Sequence, residues 1–290
     1  MDRILGQSRE RLWGADVQGL APVPHPDAPA WYNLTIDRLQ EKSWRNGFQH
    51  CEISSRALVL DVGCGTGRWL RRYQQLQVRA VGLDATQDML RRAILGRSSL
   101  TVVAARAQAL PFPNGVFDLV SDVTVVQHIA SPEQDGALKE MARALKPGGH
   151  LLLIELIKGQ APHIFPRSPR KWIESGAAAG LSPVIWEGQE FFLLDQLLVN
   201  TVRAARRLAG GSQRVALPAQ SDASDLRNNG KSASRPIYWA LRRISCRISE
   251  WGEPLVRKVC PGIGGDTCPF CLPKARRFCQ GKAFRVTARA

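Results

Sequence analysis

The sequence predicts an α/β fold built on a parallel sheet, and three observations predict it. Short apolar strands alternate with helical stretches in a βαβαβ rhythm over residues 57–105. The first strand, at the start of ALVLDVGCGTG (57–67), runs straight into three alternating glycines, Gly63, Gly65 and Gly67. The second strand, RAVGLD, ends on Asp84, 17 positions past the last glycine.

Each element follows from local chemistry. Glycines at this spacing turn a strand tightly into a helix and leave bare main-chain N–H groups facing a ligand. The pattern is G-x-G-x-G rather than the G-x-G-x-x-G that seats a pyrophosphate, so a nucleotide-type ligand without phosphates fits better. S-adenosylmethionine is such a ligand. A helix, RWLRRYQQL, follows Gly67, and Asp84 at the tip of the second strand is placed to accept ribose hydroxyls. Thr86 is expected to cap the next helix, TQDMLRRAIL, and a third strand, LTVVAA, follows at 100–105. Upstream, the proline-rich stretch at 21–30 reads as a linker into a helix from about Leu34 to Phe48.

Four motifs in order, DVGCGTG (61–67), GLDAT (82–86), LPFPNGVFDLV (110–120) and LKPGGHLLLIE (145–155), carry a resemblance over roughly residues 50–190. The chain resembles the class I S-adenosylmethionine-dependent methyltransferases, in particular the group similar to the ubiquinone and menaquinone methylases. The resemblance implies a Rossmann-like seven-stranded sheet with helices on both faces. It also implies that Gly63, Gly65, Thr66 and Gly67 line the methionine and ribose part of the cofactor. Asp61 would orient the amino group, Asp84 with Ala85 would hold the ribose, and Ala107 would offer its N–H to adenine. Arg106 departs from the pattern, since many relatives carry an Asp or Asn acceptor there and arginine has none. Its side chain either stacks on the ring or turns to solvent. Cys64, common at this point of the motif, reads as a small apolar filler.

Composition bounds the rest. The 290 residues, 44% hydrophobic, supply one domain of ordinary size with additions. The first 20 residues show no apolar signal segment, and even LLLIELI is far short of the ~20 residues a membrane span needs. A cytoplasmic enzyme with seven reduced cysteines is the expectation.

Charge is distributed unevenly. Residues 201–290 hold 18 Lys and Arg against 5 Asp and Glu, giving +13, whereas residues 1–200 give only +2 (22 against 20). The reading divides the chain into an N-terminal extension (1–30), a core (31–192), a basic helical insertion (193–281) and a final strand (282–290). Two amphipathic stretches, from Leu193 to Leu208 and from Ile237 to Leu255, flank a polar, glycine- and serine-rich link at 210–235. An insertion leaving at the carboxyl edge of the sheet would form a basic lid beside the ligand mouth. Trp239 and Trp251 beside Arg242, Arg243 and Arg247 suit a lipid surface or an anionic small substrate; clustered cations also suit RNA, or simply a solvated face. The Asn/Asp-Pro-Pro-Tyr signature of nucleic-acid amino methylases is absent after strand four, where SDVTVV stands. Cys260, Cys268, Cys271 and Cys279 contain one tight pair, so a four-cysteine zinc site competes with free thiols.

Methyl transfer asks a protein mainly to align nucleophile, methyl and sulfur and to exclude water. A hydroxyl acceptor also benefits from a base, and His128 just beyond strand four is the candidate, with His163 second. A structural hydrogen-bonding role for His128 is the alternative. The sequence therefore points to S-adenosylmethionine-dependent O- or C-methylation of a small molecule, with RNA methylation or a non-catalytic cofactor-binding module as alternatives.

Overall fold

The computed structural model describes residues 30–95, 99–157, 163–188 and 283–289. The N-terminal extension, the insertion at 193–281 with its helices and arginines, and the four late cysteines all lie outside the described residues. The chain begins with helix α1 (Ala30–His50), continues through β1 (Leu58–Val62), α2 (Arg68–Gln75), β2 (Arg79–Asp84) and α3 (Gln87–Ile94), and reaches β3 (Thr101–Ala104). It goes on through β4 (Phe117–Val123), a short turn of 3-10 helix (Val126–His128), α4 (Ser131–Ala144), β5 (Leu145–Leu156) and α5 (Pro169–Ala178).

The five strands form a parallel sheet in the order β3-β2-β1-β4-β5. Strand order therefore reverses between β1 and β4, and a crevice opens at their carboxyl ends. Backbone pairing continues past β5: Ala283–Arg289 runs antiparallel to it, and Ser182–Gly188 runs antiparallel to that segment in turn.

Helices cover both faces, so the strands are apolar on both sides. On one face Leu60, Val62, Val120, Leu151 and Leu153 meet Ala137, Leu138 and Met141 of α4 and the buried Trp172 of α5. On the other, Val59, Leu119, Leu152 and Ile154 meet Trp44, Trp69 and Tyr73. Alternate residues of each strand serve alternate cores, as the period of two requires.

The second core fixes α1. Trp44 is fully buried, stacks 5.4 Å from Trp69 and 5.3 Å from Phe48, and donates its indole N–H to the Tyr73 hydroxyl at 3.1 Å. Asp37 and Glu41 on the same helix pair with Arg68 and Arg72 of α2, whose guanidinium groups also lie over the Trp69 ring. The helix starts earlier than the sequence suggests because Tyr32 and Ile36 are themselves buried, so its first turn has a packed face.

Two boundaries also differ. The Thr86 side chain makes no cap bond to α3, whereas Ser168 does cap α5, accepting from Lys171 N–H at 3.2 Å. Strand β5 begins at Leu145, ahead of the apolar run HLLLIE of its motif, since Leu145 already pairs with Phe117 before a bulge. Among the described residues no helix is long and apolar enough to cross a membrane.

Trp44→Ala should remove the stack and the buried hydrogen bond together, costing about 3 to 5 kcal/mol. Urea unfolding followed by circular dichroism checks this; a loss under about 1 kcal/mol would mean that α1 is not part of the cooperative core.

Candidate functional site

A cavity lies at the carboxyl edge, walled by the glycine turn, the end of β2, residues Ala105–Gln108 and the loop after β4. Its construction starts at the glycine turn. Gly63, Gly65 and Gly67 have φ of +67°, +53° and +81°, a region that side chains resist. A Cβ on Gly63 would lie 2.2 Å from the Val125 side chain, so this glycine lets the turn press against the loop after β4. A Cβ on Gly65 would meet only the tip of Met89, at 3.5 Å, and would occupy the cradle itself.

Asp84 clasps the turn to the next loop. Its two oxygens accept from Gly65 N–H at 2.9 Å and from Thr86 N–H at 2.8 Å. The Thr86 hydroxyl is bonded to the same carboxylate. Burial nevertheless raises the Asp84 pKa, the backbone donors offsetting only part of that cost.

Asp61 is set back from the cavity wall rather than exposed to it. It is 1% exposed; one oxygen accepts from the Ser121 hydroxyl at 3.1 Å, and the other has no partner. Burial pushes its pKa up to about 8, with the charges of Asp122 and Asp84 adding to the effect. The hydroxyl of Thr66 and the Nε of Arg68, both on residues that line the cavity, are likewise buried without partners. Unpaired buried polar atoms cost free energy, and a ligand with an ammonium and a carboxylate would satisfy both kinds.

The remaining residues fall as follows. Ala85 and Ala107 line the cavity, and Ala107 is buried. Arg106 lines it too and is exposed. Cys64 packs with Leu70 and Leu90, and burial pushes its thiol far above the range of a nucleophile. His128 reaches the cavity wall and stacks on His163, the ring centres 5.5 Å apart.

Both ring nitrogens of His128 have protein neighbours. Nδ1 lies 3.1 Å from the His163 carbonyl, and Nε2 lies 3.3 Å from the Gln127 amide nitrogen. Gln127 is oriented by Leu156 N–H, which donates to its Oε1, so its NH₂ faces the ring. The partners therefore assign the proton to Nδ1 and the lone pair to Nε2.

Three buried polar side chains that sequence reading passed over support this region: Gln127, Asp122 and Glu155. Each lies at or just past a strand end beside an apolar run, and polar residues in such runs are the only signal that could have marked them.

Residues 59–149 match the family described as a methyltransferase domain. The chain is 31% identical over 161 residues to the demethylmenaquinone methyltransferase of Lactiplantibacillus plantarum, covering 52% of this chain and 67% of that protein. It is 34% identical to the ubiquinone/menaquinone biosynthesis C-methyltransferase UbiE of Hahella chejuensis, covering 46% and 51%, and 33% identical to a probable tRNA methyltransferase 9B of Mus musculus, covering 40% and 25%. A solved methyltransferase from Archaeoglobus fulgidus aligns with a TM-score of 0.49 at 15% identity, over 87% of this chain and 94% of that one. The chain spans about half the length of the first curated relatives it matches. With the glycine turn, the Asp84 clasp and the sequence matches to the domain family and to the Lactiplantibacillus plantarum relative, the chain belongs to the class I S-adenosylmethionine-dependent methyltransferase family.

Proposed function

We propose that this chain transfers a methyl group from S-adenosylmethionine to a small-molecule acceptor, by O- or C-methylation. The observation that carries the reading is the Asp84 clasp. A carboxylate already fixed by Gly65 and Thr86 N–H keeps further lone pairs for two ribose hydroxyls, while the bare Gly65 backbone leaves room for the ligand.

The residues divide the work by position. Gly63, Gly65 and Thr66 shape the floor, Gly67 turns the chain into α2 behind it, and Asp84 with Ala85 receives the ribose. Ala107 flanks the base, beside the exposed Arg106. Asp61 acts through the field of its buried carboxyl and through its free oxygen behind the wall, where the cationic amino group would be favoured. When bound, the cofactor supplies a methyl group activated by a sulfonium centre. His128 presents an Nε2 lone pair at the wall, so a hydroxyl acceptor that displaces the long Gln127 contact meets a base in the right protonation state. If no such exchange occurs, His128 only holds the loop.

Two relatives, one named a demethylmenaquinone methyltransferase and one a ubiquinone/menaquinone biosynthesis C-methyltransferase, favour a small organic acceptor. The reading extends to a sheet completed to seven strands, with residues 193–281 as a basic lid near the acceptor mouth, and to an anionic or membrane-associated acceptor met by the +13 tail. RNA is the second reading, favoured by the relative named for tRNA methylation and by the same basic tail. In either case the late cysteines serve as thiols or as a zinc staple of the lid.

Methyl-labelled cofactor incubated with the chain and a cell extract, then fractionated, separates these readings. Label is expected in small molecules; label confined to RNA would establish the second reading, and no transfer at all would leave a binding module. Asp84→Ala is expected to weaken S-adenosylhomocysteine binding about tenfold to a hundredfold, since a hydrogen-bonded charged acceptor is lost. Unchanged affinity in a calorimetric titration would remove Asp84 from the site.

A further inference from the structure

The loop after β4 supplies Thr124, Val125, His128 and Ile129 to the cavity wall, and it is held by residues outside that wall. Glu155, fully buried near the end of β5, accepts three successive backbone N–H groups. One oxygen takes Val125 and Val126 at 2.8 Å each, and the other takes Gln127 at 3.0 Å. Asp122, fully buried on β4, accepts from the same Val125 N–H at 3.1 Å. Two carboxyl groups from neighbouring strands thus converge on one donor.

The loop needs such fastening. Thr124 has φ of +61°, a left-handed conformation that a β-branched residue resists, and its N–H is tied to the Ile154 carbonyl at 2.7 Å. Gln127 adds another tie through Leu156 N–H. Because Val125 also presses on Gly63, a shift of this loop would reach the glycine turn.

We propose that Asp122 and Glu155 form a clasp that shares one proton and positions the Thr124–Ile129 loop, thereby setting the cavity wall and the ring of His128. Both are positioning residues, since neither lines the cavity. The importance of that wall to methyl transfer rests on the function proposed above; the clasp itself does not.

Two full negative charges at one donor cannot both persist in dry surroundings, so the pair retains a proton. Burial and the Glu155 charge raise Asp122 well above the carboxylate range, and burial holds Glu155 at about 7. From β1 Asp61 faces Asp122, whose charge helps to raise the Asp61 pKa, and behind it stands the Tyr73 hydroxyl of α2, near Ser121. The loop itself contributes His128. Folded-state values raised above the unfolded ones mean that the clasp is intact at low pH and is lost as pH rises through the last deprotonation of the pair.

Amide hydrogen exchange of the full chain, read on peptides covering 124–129 and corrected for intrinsic rates, tests this between about pH 6 and about pH 9. Protection of the wild-type loop is expected to fall about tenfold or more across that range, while Asp122→Asn, which cannot ionise, holds it nearly constant. Glu155→Gln keeps a single acceptor oxygen for three donors and should lose about tenfold at every pH. Should Glu155→Gln fail to fold, Asp122→Asn alone decides. A wild-type loop whose protection ignores pH, or an Asp122→Asn variant that follows the wild-type profile, would overturn the clasp. Because the readout needs no methyl acceptor, its failure is separable from failure of the proposed activity.

Discussion

Four adjacent parallel strands each bring a carboxyl group to the same edge of the sheet: Asp84 on β2, Asp61 on β1, Asp122 on β4 and Glu155 on β5. Burial raises the pKa of all four, and an acid held there must be given donors, a proton or a cation. The surrounding structure is the answer to that demand. Asp84 is met by the glycine turn and by Thr86, Asp61 by Ser121, and the Asp122 and Glu155 pair by the loop after β4. Turn, loop and edge therefore adopt their shapes together, and the cavity is the space left among them.

This edge selects ligand charge. Glycine turns that serve dinucleotides concentrate positive potential for a pyrophosphate at a helix N-terminus. Here the same kind of turn sits beside four acids, two of which, Asp61 and Asp122, each keep an unpartnered oxygen. A ligand carrying an ammonium and a sulfonium would stabilise the ionised forms that burial disfavours, whereas two phosphates would disfavour them further.

Much of this was legible in the sequence. The strand-turn-strand register, the three glycines and Asp84 could be read because local backbone demands dictate the residue type at each position. Cys64 as a filler followed from the same kind of reasoning. The set-back position of Asp61 was not legible: whether a carboxyl at a strand end points into a cavity or behind it depends on the Ser121 hydroxyl of a strand 60 residues away. Thr86 fitted the pattern of a helix cap, yet its hydroxyl bonds to Asp84 and its oxygen takes no cap bond from the helix. Glu155 and Gln127 escaped notice since their roles are long-range bonds to a loop some 28 residues earlier or to a strand end 29 residues later.

Selection of a cationic ligand by the acidic edge is best tested by calorimetric titration of the chain, with S-adenosylmethionine and nicotinamide adenine dinucleotide as parallel ligands. The account predicts saturable one-to-one binding of the first and no measurable binding of the second. Binding of the dinucleotide, or indifference to both, would contradict it.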